Sequence, residues 1–209
     1  MIRIGVPVEI KVVKNILTKQ DMRKVILAMQ MSLDGFIEGP NGEMDWLVGS
    51  EEDWKEMFKD LESVDTPLLG RKMYPGYAAY WRSFLTNVSS PKDDLRYAKL
   101  ADKSQHIVFS KTLTTVKWKN TRIAIDPLAE INQLKKQPGN DIVIWGGSEL
   151  AATFINLALV DRYRITLNPT ILGGGKPMFN NISQRRKLKL LESRPMKSGA
   201  TILWYEDTK

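Results

Sequence analysis

The 209-residue sequence contains no cysteine and a single histidine, His106. Without cysteine there is neither a disulfide framework nor a thiolate zinc site, which fits a reducing compartment. One histidine excludes any multi-histidine metal centre. A Ser–His–Asp triad could run only through His106, which opens the apolar run His106–Phe109 and reads as structural. No apolar stretch approaches the ~18 residues of a membrane span. The N-terminus lacks the apolar core and small-residue cleavage site of a secretion signal, so the expected location is the cytoplasm.

What is present is ordinary for one soluble domain: 43% hydrophobic and 26% charged residues, enough for a core without staples. The formal net charge of +7 suggests anionic partners, either phosphorylated small molecules or nucleic acid. One dense basic cluster, Arg185, Arg186, Lys187 and Lys189, reads as a solvated face. Nucleic acid and membrane are therefore not expected partners.

Residues 1–21 differ from the rest and read as an N-terminal extension, with a possible extra edge strand over Val6–Val13. A second plausible start, Met22, precedes a clean apolar strand. From there to residue 209 the chain reads as one domain. Strands are predicted over 24–31, 66–70, 105–109, 121–125 and 142–146. They alternate with helices at about 51–62, 72–81, 91–102, 127–137 and 147–158. In the first of these helices Trp54, Met57, Phe58 and Leu61 recur at i, i+3, i+4, i+7. Asp126-Pro127 supplies an N-cap and a proline at the first helical position, and Pro138-Gly139 stops that helix. Such alternation predicts an α/β fold with a mostly parallel central sheet. Near the C-terminus, Tyr163–Leu167, Lys187–Glu192 and Ala200–Tyr205 read as strands without intervening helices, so antiparallel strands finish the sheet.

In open α/β sheets ligands bind beyond the carboxyl ends of the strands. Gly70 with Arg71 and Lys72, Ser110 with Lys111, and Gly146-Gly147-Ser148 all fall there. Glycines admit a pyrophosphate to the backbone, and a helix N-terminus offers free N–H groups and partial positive charge. Arg71, Lys72 and Lys111 could hold a further phosphate, which would favour NADP over NAD. Taken singly, the glycine pair is a tight turn and the cations are a solvated loop.

Six segments carry a family resemblance when read in order: Ser32–Ile37 with Asp45-Trp46, Leu69–Tyr74, Ile107–Lys111, Ile144–Leu150, Leu159–Arg162 and Pro169–Gly175. Together they resemble the dihydrofolate reductase superfamily. The branch is that of the C-terminal reductase domain of bifunctional riboflavin-biosynthesis (RibD) proteins, and the likeness spans roughly residues 22–206. It implies a dihydrofolate-reductase-like three-layer fold, NADPH as cofactor, hydride transfer to a heterocycle or ribosylaminopyrimidine-like substrate, and a homodimer. It maps adenosine and 2′-phosphate contacts onto Gly70, Arg71, Lys72, Ser110 and Lys111. It maps the pyrophosphate onto Gly146, Gly147, Ser148, Glu149 and Leu150, with a cis peptide between the paired glycines. Ala28 would meet the nicotinamide amide, and Asp34 and Gly35 would begin the loop covering the ring.

The resemblance also implies a carboxylate on the first helix that orients the substrate. Ser50-Glu51-Glu52-Asp53 offers three. Glu52 aligns with the polar face, Asp53 with Met57, and Glu51 with Trp54 and Phe58. Asp53, then Glu51, are the expected acids, with Asp34 and Asp45 as rivals and a helix-dipole role as the plain reading. The departure from the folate enzyme's Pro-Trp, with Asp45-Trp46 instead, points away from folate as substrate. Trp46, Trp54, Tyr74, Tyr77, Tyr80 and Trp81 read as core or pocket wall, with one or two able to stack on a flat ring. A protein that retains the nucleotide site without chemistry is the alternative reading.

Overall fold

The computed structural model describes residues 23–208; the expected extension over 1–21 lies outside the described residues. An eight-stranded sheet forms the centre, with strand order β5-β4-β3-β6-β1-β7-β10-β9. The strands are β1 (Val25–Ser32), β3 (Val64–Gly70), β4 (His106–Phe109), β5 (Thr121–Ala124), β6 (Asp141–Ile144), β7 (Arg162–Asn168), β9 (Leu188–Pro195) and β10 (Thr201–Asp207). From β5 to β7 every pairing is parallel, and β10 pairs antiparallel with both β7 and β9. The α/β class and the antiparallel finish are as the sequence pattern predicts.

Five helices cover the two faces: α1 (Glu51–Asp60), α2 (Tyr74–Thr86), α3 (Lys92–Lys103), α4 (Pro127–Leu134) and α5 (Ser148–Asn156). Side chains alternate across each strand, so the parallel strands feed two cores at once. Val25 and Leu27 join Leu68, Ile107, Ile142, Ile144 and Phe154 under α4 and α5. On the opposite face, Ile26, Ala28 and Val143 meet Met57 and Leu61 of α1 and the turn after it. Beside them Leu69 and Val108 pack on Tyr74, Tyr77, Trp81 and Tyr97 of α2 and α3. His106 is fully buried in that aromatic layer, stacked on Trp118 at 4.5 Å, which makes it structural.

Two short elements escape the sequence pattern. β2 (Phe36–Glu38) and β8 (Lys176–Pro177) pair antiparallel as a separate small sheet. Gly175 permits this approach. Its φ is +128°, and a Cβ there would lie 2.1 Å from the carbonyl oxygen of Glu38. Helix α2 begins at Tyr74 and runs to Thr86, later than the expected 72–81 at both ends. Arg71 and Lys72 thereby stay in the turn before the helix.

Candidate active site

The carboxyl ends of β1, β3, β4, β5 and β6 open on one cleft of about 1420 Å³. Of the residues singled out from the sequence, Ala28, Gly70, Arg71, Lys72, Ser110, Lys111, Gly147, Ser148, Glu149 and Leu150 line it. Four sequence segments separated by tens of residues thus meet in one cavity.

Gly147 is the N-cap of α5, and no side chain caps that helix among the described residues. The first N–H groups of α5 and its positive dipole end therefore face the cleft without a protein partner. The peptide between Gly146 and Gly147 is cis, as the resemblance implies. Gly146 has φ +107° and presses on Met29, whose sulfur would lie 2.8 Å from a Cβ. Its carbonyl accepts from Gly70 N–H at 3.3 Å, which ties the ends of β3 and β6 together.

Around this helix end stand cations. Lys72 lies 3.1 Å from Glu149 on the first turn of α5, both largely exposed. Arg71 and Lys111 are exposed on the turns after β3 and β4. Ser110 is buried, and its hydroxyl accepts from the N–H groups of Thr112 and Leu113, so it shapes the Lys111 loop. Cationic side chains, a glycine pair and an uncapped helix start form a donor set that fits the phosphates of a dinucleotide.

The expected acids lie elsewhere. Asp53 completes a capping box: Ser50 N–H and Oγ both donate to its Oδ2 at 2.7 Å, and Ser198 Oγ donates to its Oδ1 at 3.0 Å. Its carboxylate is drawn back onto the helix start and does not line the cleft. Glu51 is exposed and paired with Lys55 at 2.8 Å, which holds its carboxyl below the usual range. It is a surface ion pair. Asp34 accepts from Ser32 Oγ and from the N–H groups of Leu172 and Gly173, which lowers its pKa. It braces the loop holding Gly35 against residues 172–173, and neither Asp34 nor Gly35 lines the cleft.

Three groups that the sequence reading passed over stand at the β1 end instead. Glu38 on β2 accepts from Lys176 Nζ on β8 at 3.1 Å, and both line the cleft. Lys176 Nζ is also 3.6 Å from where a Gly147 Cβ would be. Arg164 on β7 is 98% buried by its 2% exposure and forms part of the cleft floor. Trp54 and Tyr80, both partly exposed, and the buried Tyr77, Trp81 and Tyr97 complete an aromatic wall. Elsewhere, Arg186 of the basic cluster donates to Ile155 O at the end of α5. Among the described residues no helix is long and apolar enough to cross a membrane.

Comparison with known proteins gives this cleft a family. The model of the RibD C-terminal domain matches residues 23–202. The chain belongs to the RibD C-terminal domain family. A relative from Bacillus subtilis, the uncharacterized protein YyaP, is 38% identical over 183 residues, covering 88% of this chain and 94% of its own. A putative riboflavin biosynthesis protein from Shewanella sp. PV-4 superposes with a TM-score of 0.72 at 23% identity, covering 89% of this chain and 99% of that one. The dihydrofolate reductase of Enterococcus faecalis, solved with NADP(H), gives a TM-score of 0.60 at 14% identity over 89% of this chain and 97% of that one. These two structures share the fold of the RibD-type domain described above.

Proposed function

We propose that the protein is an NADPH-dependent reductase of the dihydrofolate reductase/RibD C-terminal type. One observation carries this reading: the uncapped N-terminus of α5 and the cations after β3 and β4 share one cleft with an aromatic chamber at the β1 end. The first part suits a phosphorylated dinucleotide and the second a flat acceptor. Gly147, Ser148 and the first turn of α5 would hold the pyrophosphate, and Arg71, Lys72 and Lys111 the adenosine-side phosphate. NADPH would supply the hydride, as NADP(H) bound to the Enterococcus faecalis enzyme of this fold suggests.

The protein's own contribution is position and a proton. At the β1 end the charged side chains lining the cleft include Glu38, Lys176 and Arg164. Arg164 keeps its charge in any ordinary pH range. Lys176, which donates to Glu38, takes the role of proton donor in this reading, and its Nζ stands beside Gly147 where the cofactor's two halves would join. The aromatic wall excludes water and orients a flat ring. A homodimer remains part of the proposal, formed through the outer strand β9, which exposes Leu188, Leu190 and Leu191. The cytoplasm is the proposed location.

The test is a titration of the wild-type chain and an Arg71→Ala/Lys111→Ala variant with NADPH and NADH, followed by NADPH oxidation assays on pterin, pyrimidine and simple carbonyl acceptors. The wild type is expected to bind NADPH and oxidise it with at least one acceptor. The double variant is expected to lose about tenfold or more affinity for NADPH and little for NADH. Equal loss for both nucleotides displaces the 2′-phosphate from these cations. NADPH binding without turnover on any acceptor favours a nucleotide-binding protein, a reading motivated by Asp53 and Glu51 both lying off the cleft.

A further inference from the structure

The floor of the cleft carries a buried cation whose bonding is incomplete. Arg164 Nε donates to Asp60 Oδ2 at 2.9 Å and Nη1 to Thr166 Oγ1 at 3.0 Å. Its Nη2 has no hydrogen-bond partner among the described residues. An orphaned guanidinium N–H pair in a protein interior is costly and marks a place where a ligand can complete the set. The register of β1 and β7 sets Ala28 beside Arg164 and Gln30 beside Thr166, and Ala28, Gln30 and Arg164 all line the cleft.

The surrounding charges decide what kind of ligand atom belongs there. Asp60 shares its second oxygen with Arg194 at 3.0 Å, and Arg194 also binds Glu56 at 2.6 Å and Glu192 at 2.7 Å. Lys59 lies 3.8 Å from Glu56. Arg164, Arg194 and Lys59 are therefore balanced by Asp60, Glu56 and Glu192. The cluster has donor capacity to offer and no surplus positive charge. A carboxylate or phosphate moved into this site would be desolvated without a compensating net charge. A neutral carbonyl oxygen would need only the N–H groups.

Resting on the reductase reading above, we infer that Arg164 is the substrate-recognising residue, donating from Nη2 to an uncharged carbonyl oxygen on a flat ring. Gln30, one register step along the same face, supplies an amide able to meet an adjacent ring N–H, so the preferred group is a cyclic amide or imide. Trp54, partly exposed at the same end, gives the ring a surface to lie on. This reverses the hydrogen-bond polarity expected from a carboxylate on α1: the protein donates where a carboxylate would accept.

The experiment uses lumazine and phthalimide as neutral carbonyl rings and phthalate as the anionic counterpart. Each is titrated calorimetrically at pH 6.5 into the wild type, Arg164→Lys and Arg164→Met, with and without NADP+. At least one neutral ring is expected to bind the wild type more tightly than phthalate. Both substitutions should weaken that ring by about tenfold or more, with the Kd for NADP+ within about twofold of wild type. Arg164→Lys keeps the charge beside Asp60 and removes the fork, so it remains a test should Arg164→Met fail to fold. Tighter binding of phthalate, equal binding by wild type and Arg164→Lys, or NADP+ binding with neither neutral ring overturns the assignment. Failure of the wild type to bind NADP+ overturns the nucleotide reading instead, and the titrations without NADP+ still report on Arg164.

Discussion

Lys176 donates to Glu38 across 3.1 Å between the two strands of the small sheet, from positions 138 residues apart in the chain. The pair stands within the cleft, whereas the carboxylates of α1 stand outside it. Replacing Lys176 with Met is therefore expected to lower kcat about 100-fold or more, the usual range for losing a positioned proton donor. Lys176→Arg, which keeps the charge and cannot release a proton readily, should bind NADPH normally and remain slow. Steady-state kinetics with separate nucleotide titrations check this. A weakened Kd with unchanged kcat would make Lys176 a phosphate ligand instead.

Asp53→Ala should behave in the opposite way. Removing the reciprocal cap at Ser50 and the contact from Ser198 is expected to cost about 1 kcal/mol of stability. Turnover at saturating substrate should stay within about twofold of wild type. Thermal melts alongside kcat measure the two effects, and a drop of 100-fold in kcat at unchanged stability would restore Asp53 as the acid.

These two residues show what the sequence could and could not reveal. The ends of β3, β4 and β6 are legible because cations or glycines directly follow a short apolar run, and Gly70–Lys72, Ser110-Lys111 and Gly147-Ser148 line the cleft, whereas Gly146 does not. For Asp53, i, i+4 alignment with Met57 points inward, while the local signal Ser50-x-x-Asp53 is a capping box that folds the carboxylate back. Glu38 and Lys176 gave no periodic signal because their strands span three and two residues. Arg164 stands between Tyr163 and Ile165 with no motif of its own to mark it. It is buried because β7 is covered on both sides, by α1 on the face it shares with Ala28, and such coverage is a tertiary fact.

His106 makes the fold sensitive to acid. Burial against Tyr77 and Trp118 pushes its pKa down from 6.5 to about 4, with the attraction of Asp102 only partly opposing this. Above pH 6.5 the ring is neutral folded and unfolded, so it exacts nothing. Below that, the unfolded chain takes up a proton that the folded chain resists until about pH 4, and stability falls across this window by on the order of 3 kcal/mol. The thermal midpoint of the wild type should fall several degrees between pH 6.5 and 4. His106→Phe, which preserves the stacking on Trp118, should fall less over the same range; parallel slopes would remove His106 from the account.

The edge strand β9 predicts assembly. Its residues Leu188, Leu190 and Leu191 are 37%, 51% and 43% exposed on a strand that, among the described residues, is hydrogen-bonded only to β10. Light scattering after size exclusion should give twice the chain mass of 23.8 kDa. Leu190→Asp should shift it toward the single-chain value, since a charge at an apolar self-contact is repeated on both sides of a two-fold axis. A wild-type monomer at micromolar concentration would place the leucines outside any self-interface.

The brace at Asp34 bears on the rigidity of the cleft wall. Leu33 donates to Thr170, Met178 to Gly35, and Leu172 and Gly173 to Asp34, so the segment after β1 and the glycine-rich segment before β8 are sewn together. Glu38 and Lys176 ride at the far ends of these two segments. Ile37, next to Glu38, and Met178, two residues past Lys176, are buried in the main core, so the packing that holds the sheet also holds the spacing of the ion pair. The pair is thereby preorganised: a ligand entering the cleft meets Glu38 and Lys176 already at their separation, with no segment to be ordered first.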